Sequence, residues 1–532
     1  MTQHSFRARL PWGLPVLSGV LIGTSYIPFP PWASLFAFVP LWFFWRDQTS
    51  LSRVFLSGLL TSFVFTLIGF NWVTYVLHEF AHLDWWVAGI GMLLFAFLAH
   101  LFVPLAGMFW WLLQRRYRFQ PQLSLLMMAV LTILLEATIP MLFDWNFGYA
   151  WYGAGLPLYH WAEVVGFQGL SALTILTNVL TTRLLTEREV LLRGGLAATL
   201  AFGFLVFNLS GLWLQGRLPV PDAKVRVLMA QGNVGNAEKM AAELGRGYQD
   251  GILKAFMAAT DQALKNNTQP VDFAMWPETA FPAILGEGLR PDRYRVALTE
   301  FLRQRQLTLL TGAYGVDFPS GRLTNSLFVV NPEGQVVEPH YSKTILLALG
   351  EYIPGEDWFP VIREWLPQTG LFARGQGPTT LLQWQGFKMG PQICYESLFP
   401  WFSRELSNRG AQFIVNVTND SWYGDWQEPW QHMVMTLARG VEFRRPVLRV
   451  TNTGISTVGL ASGERMGESP VHEVWAGIFD VPYLHEPPVT FYQKVPYLMP
   501  AFFWSTLLGL ILYGERRRQK GAMDRRASSG AL

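Results

Sequence analysis

The chain has 532 residues, with 41 Lys and Arg against 38 Asp and Glu, for a formal net charge of +3. Hydrophobic residues make up 51% and charged ones 15%; a soluble globular chain carries about 25% charged residues, so intrinsic disorder and an ordinary soluble enzyme are excluded for the whole, and the charge balance argues for no nucleic acid partner. The single cysteine, Cys394, excludes an intramolecular disulfide framework, a Cys-rich zinc site and a cysteine-ligated iron–sulfur cluster.

Taken in chain order, apolar stretches recur at the length a bilayer requires, about 20 residues for a core roughly 30 Å thick. Seven are expected in the first 216 residues, near 12–29, 31–44, 54–77, 86–113, 123–143, 161–184 and 196–214, and an eighth near 497–513. The second is short for a full span. Basic residues sit in alternate connections: Arg7 and Arg9 before the first span, Arg46 and Arg53 after the second, Arg115, Arg116 and Arg118 after the fourth, and Arg183, Arg188 and Arg193 after the sixth. The intervening loops at 26–31, 78–85 and 144–160 contain no Lys or Arg, whereas the tail carries Arg516, Arg517, Arg518, Lys520, Arg525 and Arg526. Short basic loops stay cytoplasmic, so both termini are expected in the cytoplasm and the region between spans seven and eight on the other side, in a bacterium the periplasm. No small-residue cleavage site follows the first span, which reads as an anchor in the inner (cell) membrane.

The divisions expected are a membrane domain at 1–216, a catalytic domain at 217–490, and a last span with a basic cytoplasmic tail at 491–532. Between about 224 and 483 the composition returns to that of a soluble α/β domain. β-rich runs at 225–231, 273–276, 307–312, 327–330, 389–394 and 413–417 alternate with helical patterns at 237–264, 291–305 and 427–443. Such alternation predicts a mixed sheet with its chemistry at the strand ends. Three strand ends carry reactive groups: Trp276-Pro277-Glu278, Tyr341-Ser342-Lys343 and Ile393-Cys394-Tyr395-Glu396. A carboxylate, an ammonium and a thiol suit a base, an electrophilic stabiliser and a nucleophile. Each also has a bland reading, since a lone Cys is most often a small buried hydrophobe and a lone Lys is usually solvated.

Together and in this order the three resemble the Glu-Lys-Cys triad of the nitrilase superfamily. The flanking segments, Ala230-Gln231-Gly232-Asn233, Met275-Trp276-Pro277-Glu278-Thr279-Ala280, Gly350-Glu351-Tyr352-Ile353-Pro354-Gly355 and Asn419-Asp420-Ser421-Trp422-Tyr423-Gly424, are similar to the motifs of bacterial apolipoprotein N-acyltransferases, and the resemblance runs over nearly the whole chain. It implies an α-helical membrane bundle plus an α/β domain, a nitrilase-like αββα sandwich between the seventh and eighth transmembrane helices. It further implies Glu278 as general base, Lys343 as stabiliser of the oxyanion and Cys394 as the acylated nucleophile, with Glu351, Tyr395 and Glu396 in support. The acyl donor is then a membrane phospholipid and the acceptor an apolipoprotein. No cofactor and no metal are expected, and a monomer is. Two departures from the family pattern are Met240, where a Trp is usual, and Ile139, where an Arg usually follows the intramembrane Glu136.

His78-Glu79-Phe80-Ala81-His82 satisfies the H-E-x-x-H zinc pattern, but it is expected in a loop and no third ligand follows, so it reads as a decoy. His160, His340, His432 and His472 read as structural. Phe147 and Tyr149 belong first to an interfacial aromatic belt, with a lipid-access rim as the functional alternative. Trp358, Phe359, Trp365, Leu371 and Phe372 read either as core or as an apolar lid over the thiol. Two rival functions stand beside acyl transfer: a membrane-tethered nitrilase-type amidase using water as acceptor, and a transporter or sensor with an inactive domain.

Overall fold

Packing divides the chain into two units, Met1–Thr74 with Asp84–Gly216 and Val495–Leu532, and Tyr75–Leu83 with Arg217–Lys494. The computed structural model describes residues 11–529 apart from 81–82, 244–246, 266, 287, 290, 349, 354 and 366–369. Pro354 of the Gly350 motif, and Ala81 and His82 of the zinc-like pattern, therefore lie outside the described residues, as do the side chain of Trp365 and the basic residues Arg7 and Arg9.

In the first unit, six helices among the described residues are long and apolar enough to cross a membrane: Leu51–Gly69, Trp85–Tyr117, Pro121–Thr138, Pro157–Thr186, Val190–Gly216 and Leu498–Asp524. Five precede the α/β domain, where the sequence predicts seven spans. The first two expected spans are instead an 11-residue helix, Gly13–Gly23, a run of turns through Pro28, Pro30 and Pro31, and an eight-residue helix, Val39–Arg46. Proline supplies no N–H to a helix and clashes with the preceding turn. At about 1.5 Å per residue, neither short helix spans a core roughly 30 Å thick. The unit's interior is aromatic, with Trp145 in ring contact with Tyr26, Phe65, Phe70, His100 and Phe147.

The second unit is built on twelve strands: β1 (Ala223–Gln231), β2 (Phe273–Trp276), β3 (Leu309–Asp317), β4 (Arg322–Val330), β5 (Val336–Ser342), β6 (Leu382–Trp384), β7 (Phe387–Ile393), β8 (Phe413–Thr418), β9 (Val447–Thr451), β10 (Thr457–Gly459), β11 (Arg465–Met466) and β12 (Trp475–Tyr483). They form two six-stranded sheets, ordered β12-β1-β2-β3-β4-β5 and β11-β10-β9-β8-β7-β6. The central strands β1, β2 and β3 run parallel, as do β7, β8 and β9.

Alternation along the strands sets the layers, because successive side chains point to opposite faces. Val225, Val227, Met229, Phe273 and Met275 meet Met389, Phe413, Val415, Val417, Leu448 and Val450 between the sheets. Their neighbours Leu228, Ala230, Ala274 and Trp276 face the other way, packing with Phe256, Leu298, Phe301 and Leu302 of the helices Gln249–Lys265 and Arg293–Arg305. The outer face of the second sheet is polar. Gln392 donates to Ser403 of the helix Pro400–Asn408, and Arg449 reaches Thr436 of the helix Glu428–Phe443. Helices thus cover both sheets, which is the expected αββα sandwich.

Candidate active site

Strand ends bring the three expected groups together. Glu278 lies just past β2, Lys343 just past β5 and Cys394 just past β7, and all three are buried. Lys343 Nζ lies 3.0 Å from Glu278 Oε1 and 2.9 Å from Glu351 Oε2. Asn325 of β4 joins the same pair, its Nδ2 donating to Glu278 Oε1 at 2.7 Å and to Glu351 Oε1 at 2.8 Å. The other oxygen of Glu278 accepts the backbone N–H of Asn419 at 3.0 Å, and the second oxygen of Glu351 accepts that of Leu347 at 2.8 Å. The backbone before Thr279 passes so close to β3 that a Cβ on Gly312 would lie 2.6 Å from the Glu278 Cα. Only glycine lets Glu278 sit there.

These contacts set the charges. Burial works against ionisation of Glu278, but the ammonium groups of Lys343 and Lys239 and the Asn325 donor outweigh it and hold its carboxyl below the usual range. Burial likewise opposes the charge on Lys343, yet Glu278 and Glu351 hold its pKa well above that of an ordinary lysine. The Cys394 thiol is pushed far up, first by burial and then by the neighbouring Glu278 charge, with Lys343 acting the other way. The resting site is a carboxylate, an ammonium and a neutral thiol.

Glu396 is a clamp. It accepts from the Tyr341 hydroxyl at 2.7 Å and from the backbone N–H groups of Thr344, Ile345 and Ile393 at 2.6, 3.1 and 2.8 Å. Burial pushes its carboxyl up to about 7 against the pull of those donors. The segment bearing Lys343 and the one bearing Cys394 are thereby tied to a single side chain. Tyr395 follows the thiol in the turn Cys394–Leu398, its ring edge-on to Phe399 at 5.0 Å.

The expected substrate residues divide. Trp358 and Phe359 are 82% and 62% exposed, so core packing is overturned for both. Leu371 is exposed, and Phe372 stacks on Tyr314. Phe147 and Tyr149 are 2% and 1% exposed and fill the interior of the helical unit, Phe147 against Phe38 and Trp145, Tyr149 stacked on Phe167. Neither forms an exposed rim. Glu136, which has Ile139 where an Arg is usual, accepts from Ser171 at 2.7 Å and Gln168 at 2.9 Å. His78 and Glu79 end the helix Val73–Glu79 rather than lying in a loop. His78 Nδ1 contacts the Leu83 carbonyl, and Phe80 meets Trp422 edge-on. Met240 is half-buried on the helix Asn236–Glu243.

Asn325 escaped the sequence reading. Its signal is a polar run, Thr324-Asn325-Ser326, directly before the apolar residues Leu327, Phe328, Val329 and Val330 of the same strand.

An αββα sandwich with a buried thiol, carboxylate and ammonium at its strand ends defines a nitrilase-like domain, here joined to a set of apolar helices. Residues 223–478 match the carbon-nitrogen hydrolase family and residues 18–180 the apolipoprotein N-acyltransferase N-terminal domain. The chain belongs to the apolipoprotein N-acyltransferase family. It is 40% identical over 490 residues to the apolipoprotein N-acyltransferase of Bdellovibrio bacteriovorus, covering 90% of this chain and 89% of that one. It is 29% identical to that of Geobacter metallireducens over 86% of this chain and 87% of the relative, and 31% identical to that of Brucella suis over 70% of each. Among solved structures, an amidase from Nesterenkonia sp. is similar over 50% of this chain and 94% of its own, at 21% identity and a TM-score of 0.35. The six apolar helices and these relatives make this a bacterial membrane protein.

Proposed function

We propose that the chain N-acylates lipoproteins, moving an acyl chain from a membrane phospholipid through a thioester on Cys394 to the α-amino group of an N-terminal diacylglyceryl-cysteine. The carrying observation is the buried group of Glu278, Lys343 and Cys394, with Glu278 and Glu351 both on Lys343. Because the thiol is held neutral and Glu278 ionised, the proton leaves sulfur for Glu278 as sulfur bonds to the ester carbonyl carbon. Negative charge then develops on the carbonyl oxygen, and Lys343 stabilises it. Glu278 returns the proton to the departing lysophospholipid oxygen, leaving the thioester. In the second half the amine attacks the thioester carbonyl carbon, Glu278 takes its proton and passes it to the Cys394 sulfur as the carbon–sulfur bond breaks, leaving the amide and the free thiol. An α-amino group has a pKa of about 7.7 to 8.0, so roughly a tenth is free base at pH 7.

In this reading the catalytic domain faces the periplasm and the exposed Trp358 and Phe359 are the apolar cover that excludes water from the thioester. The amidase alternative needs no such exclusion and no large set of membrane helices. The test is intact mass of the purified protein after exposure to phospholipid. An acyl adduct sensitive to hydroxylamine should appear on Cys394, persist without acceptor, and pass to a diacylglyceryl-cysteinyl peptide with a free α-amine but not to its N-acetylated form. An adduct that hydrolyses within a turnover whether or not the peptide is present would make the amidase the better account.

A further inference from the structure

The polar outer face of the second sheet holds a network that the triad mechanism does not use. Asp420, two residues past β8, is buried, and its Oδ2 accepts from Arg449 Nη2 of β9 at 2.6 Å. Arg449 is buried too, its Nη1 donating to Asn416 Oδ1 at 2.8 Å. The other oxygen of Asp420 lies 2.9 Å from His432 Nδ1 and accepts from the Thr418 hydroxyl at 3.2 Å. Packing there is close, since a Cβ on Gly454 would fall 2.2 Å from Asp420 Oδ2. A buried ion pair contributes little net stability, because desolvation offsets the attraction, but it fixes position strongly. The donor atoms of Asp420, Glu428 and His432 lie within 4.8 Å of one another, a density that suits a cation. Arg449 already supplies that positive charge to Asp420, so a metal reading is the weaker one.

Two chains of contacts lead from Asp420 to the nucleophile. In one, Thr418 and Cys394 directly follow the paired residues Val417 of β8 and Ile393 of β7, and the Thr418 side chain acts on the thiol against the rise that burial imposes. In the other, His432 Nε2 lies 3.4 Å from Ser397 Oγ, and that hydroxyl donates to the Cys394 carbonyl at 2.9 Å. Thr436 supports the same hydroxyl at 2.7 Å. Cys394 needs such support, because its φ is +51°, a left-handed conformation that costs a non-glycine residue on the order of 1 kcal/mol or more and persists only where surroundings impose it. Between Thr418 and Asp420 stands Asn419, whose N–H holds Glu278.

We propose that Asp420 is a positioning residue for acyl transfer: anchored on Arg449, it holds the thiol through Thr418, the strained Cys394 backbone through His432 and Ser397, and the general base through the adjoining Asn419 N–H. The inference rests on Cys394 being the nucleophile.

The experiment follows formation of the Cys394 adduct by intact mass over time, using the full chain in detergent across a range of phospholipid concentrations. Asp420→Asn should lower the maximal acylation rate by about 10-fold to 10²-fold with little change in the half-saturating phospholipid concentration. Thr418→Val and Ser397→Ala each break one chain of contacts and should each slow acylation about fivefold, the scale of one hydrogen bond. Thr418→Ser, which keeps the hydroxyl, should restore the rate. Adding Thr418→Val to Asp420→Asn should slow the reaction little further, since contacts in one chain are not additive. Should Asp420→Asn fail to fold, the Thr418 and Ser397 variants decide alone. Acylation at the wild-type rate in both, or full multiplication of effects in the double variant, would overturn the proposal. A wild-type protein acylated elsewhere than Cys394 would overturn the nucleophile assignment and this inference with it; a normal wild-type adduct beside unaffected variants would overturn only the inference.

Discussion

Lys343 holds two carboxylates, and in the proposed mechanism that arrangement lets Glu278 act as base without discharging the ammonium. When Glu278 takes the thiol proton, Lys343 still pairs with Glu351 at 2.9 Å and keeps the charge that an oxyanion needs. Lys343→Ala and Glu278→Gln should therefore both slow acylation by about 10²-fold or more; a variant that acylates normally and fails only in transfer has been given the wrong role. The pH dependence has a definite sign. The base must be ionised, and its pKa is held below the ordinary 4.5, so the acylation rate should show no acid limb from Glu278 between pH 7 and that value. Replacing Asn325 by Leu removes a donor to the carboxylate, which raises the pKa and moves the limb toward neutral pH. An Asn325→Leu profile with its acid limb at or below the wild-type position would break this assignment. Glu278, Lys343 and Cys394 were legible because each ends a strand within a distinctive motif. Asn325 was not, because its meaning comes from register: β4 pairs with β5 so that Ser326 faces Ser342, and Lys343 N–H bonds the Asn325 carbonyl.

At the scale of elements, legibility follows burial. β2 and β8 are buried along their whole length, so they stand out as continuous apolar runs bounded by polar residues. β12 went unread. It is an edge strand with only partial burial and contains Pro482, and it joins the sheet beside β1, more than 240 residues earlier in the chain. The single helix expected at 237–264 is two, Asn236–Glu243 and Gln249–Lys265, with Gly247 between them at φ +99°. The segment carrying Trp358 and Phe359 presents its largest apolar side chains outward, an arrangement that a water-facing loop avoids and an apolar substrate or lipid surface rewards. Replacing either residue by Ser should leave the fold's melting temperature within about 2 °C, because exposed substitutions shift stability by roughly 0.5 kcal/mol or less. It should shift the fate of the acyl-enzyme toward free fatty acid. Unchanged partition between N-acylated peptide and fatty acid in both variants would remove these residues from the cover over the thioester.

For the molecule as a whole, the question is which side of the membrane the sandwich occupies, and the proposed answer is the same for five long helices before the domain as for seven spans. The five helices before the domain that are long enough to span, among the described residues, are like seven an odd number. The two short helices Gly13–Gly23 and Val39–Arg46 drop out as a pair, and a pair that enters and returns does not move the side of anything after it. The charge pattern is as one-sided with five as with seven. Arg46 lies before the first long helix and Arg53 in its first turn, Arg115 and Arg116 are in the last turn of the second with Arg118 just past it, and Arg188 lies between the fourth and fifth, with Arg183 and Arg193 in the turns that flank that connection, while the stretches 78–85 and 144–160 carry no Lys or Arg. Lys and Arg near the ends of short loops hold those loops in the cytoplasm, which supports the proposal that the connection after the fifth helix, and the domain it leads into, lie outside. In a Cys394→Ala background, which leaves no other thiol, a cysteine placed at the exposed Ala154 should be labelled by an impermeant maleimide in intact spheroplasts. One at the exposed Gln120 should be labelled only after lysis. The opposite pattern would put the domain in the cytoplasm, away from any translocated lipoprotein, and the acyl-transfer proposal would fall with the topology.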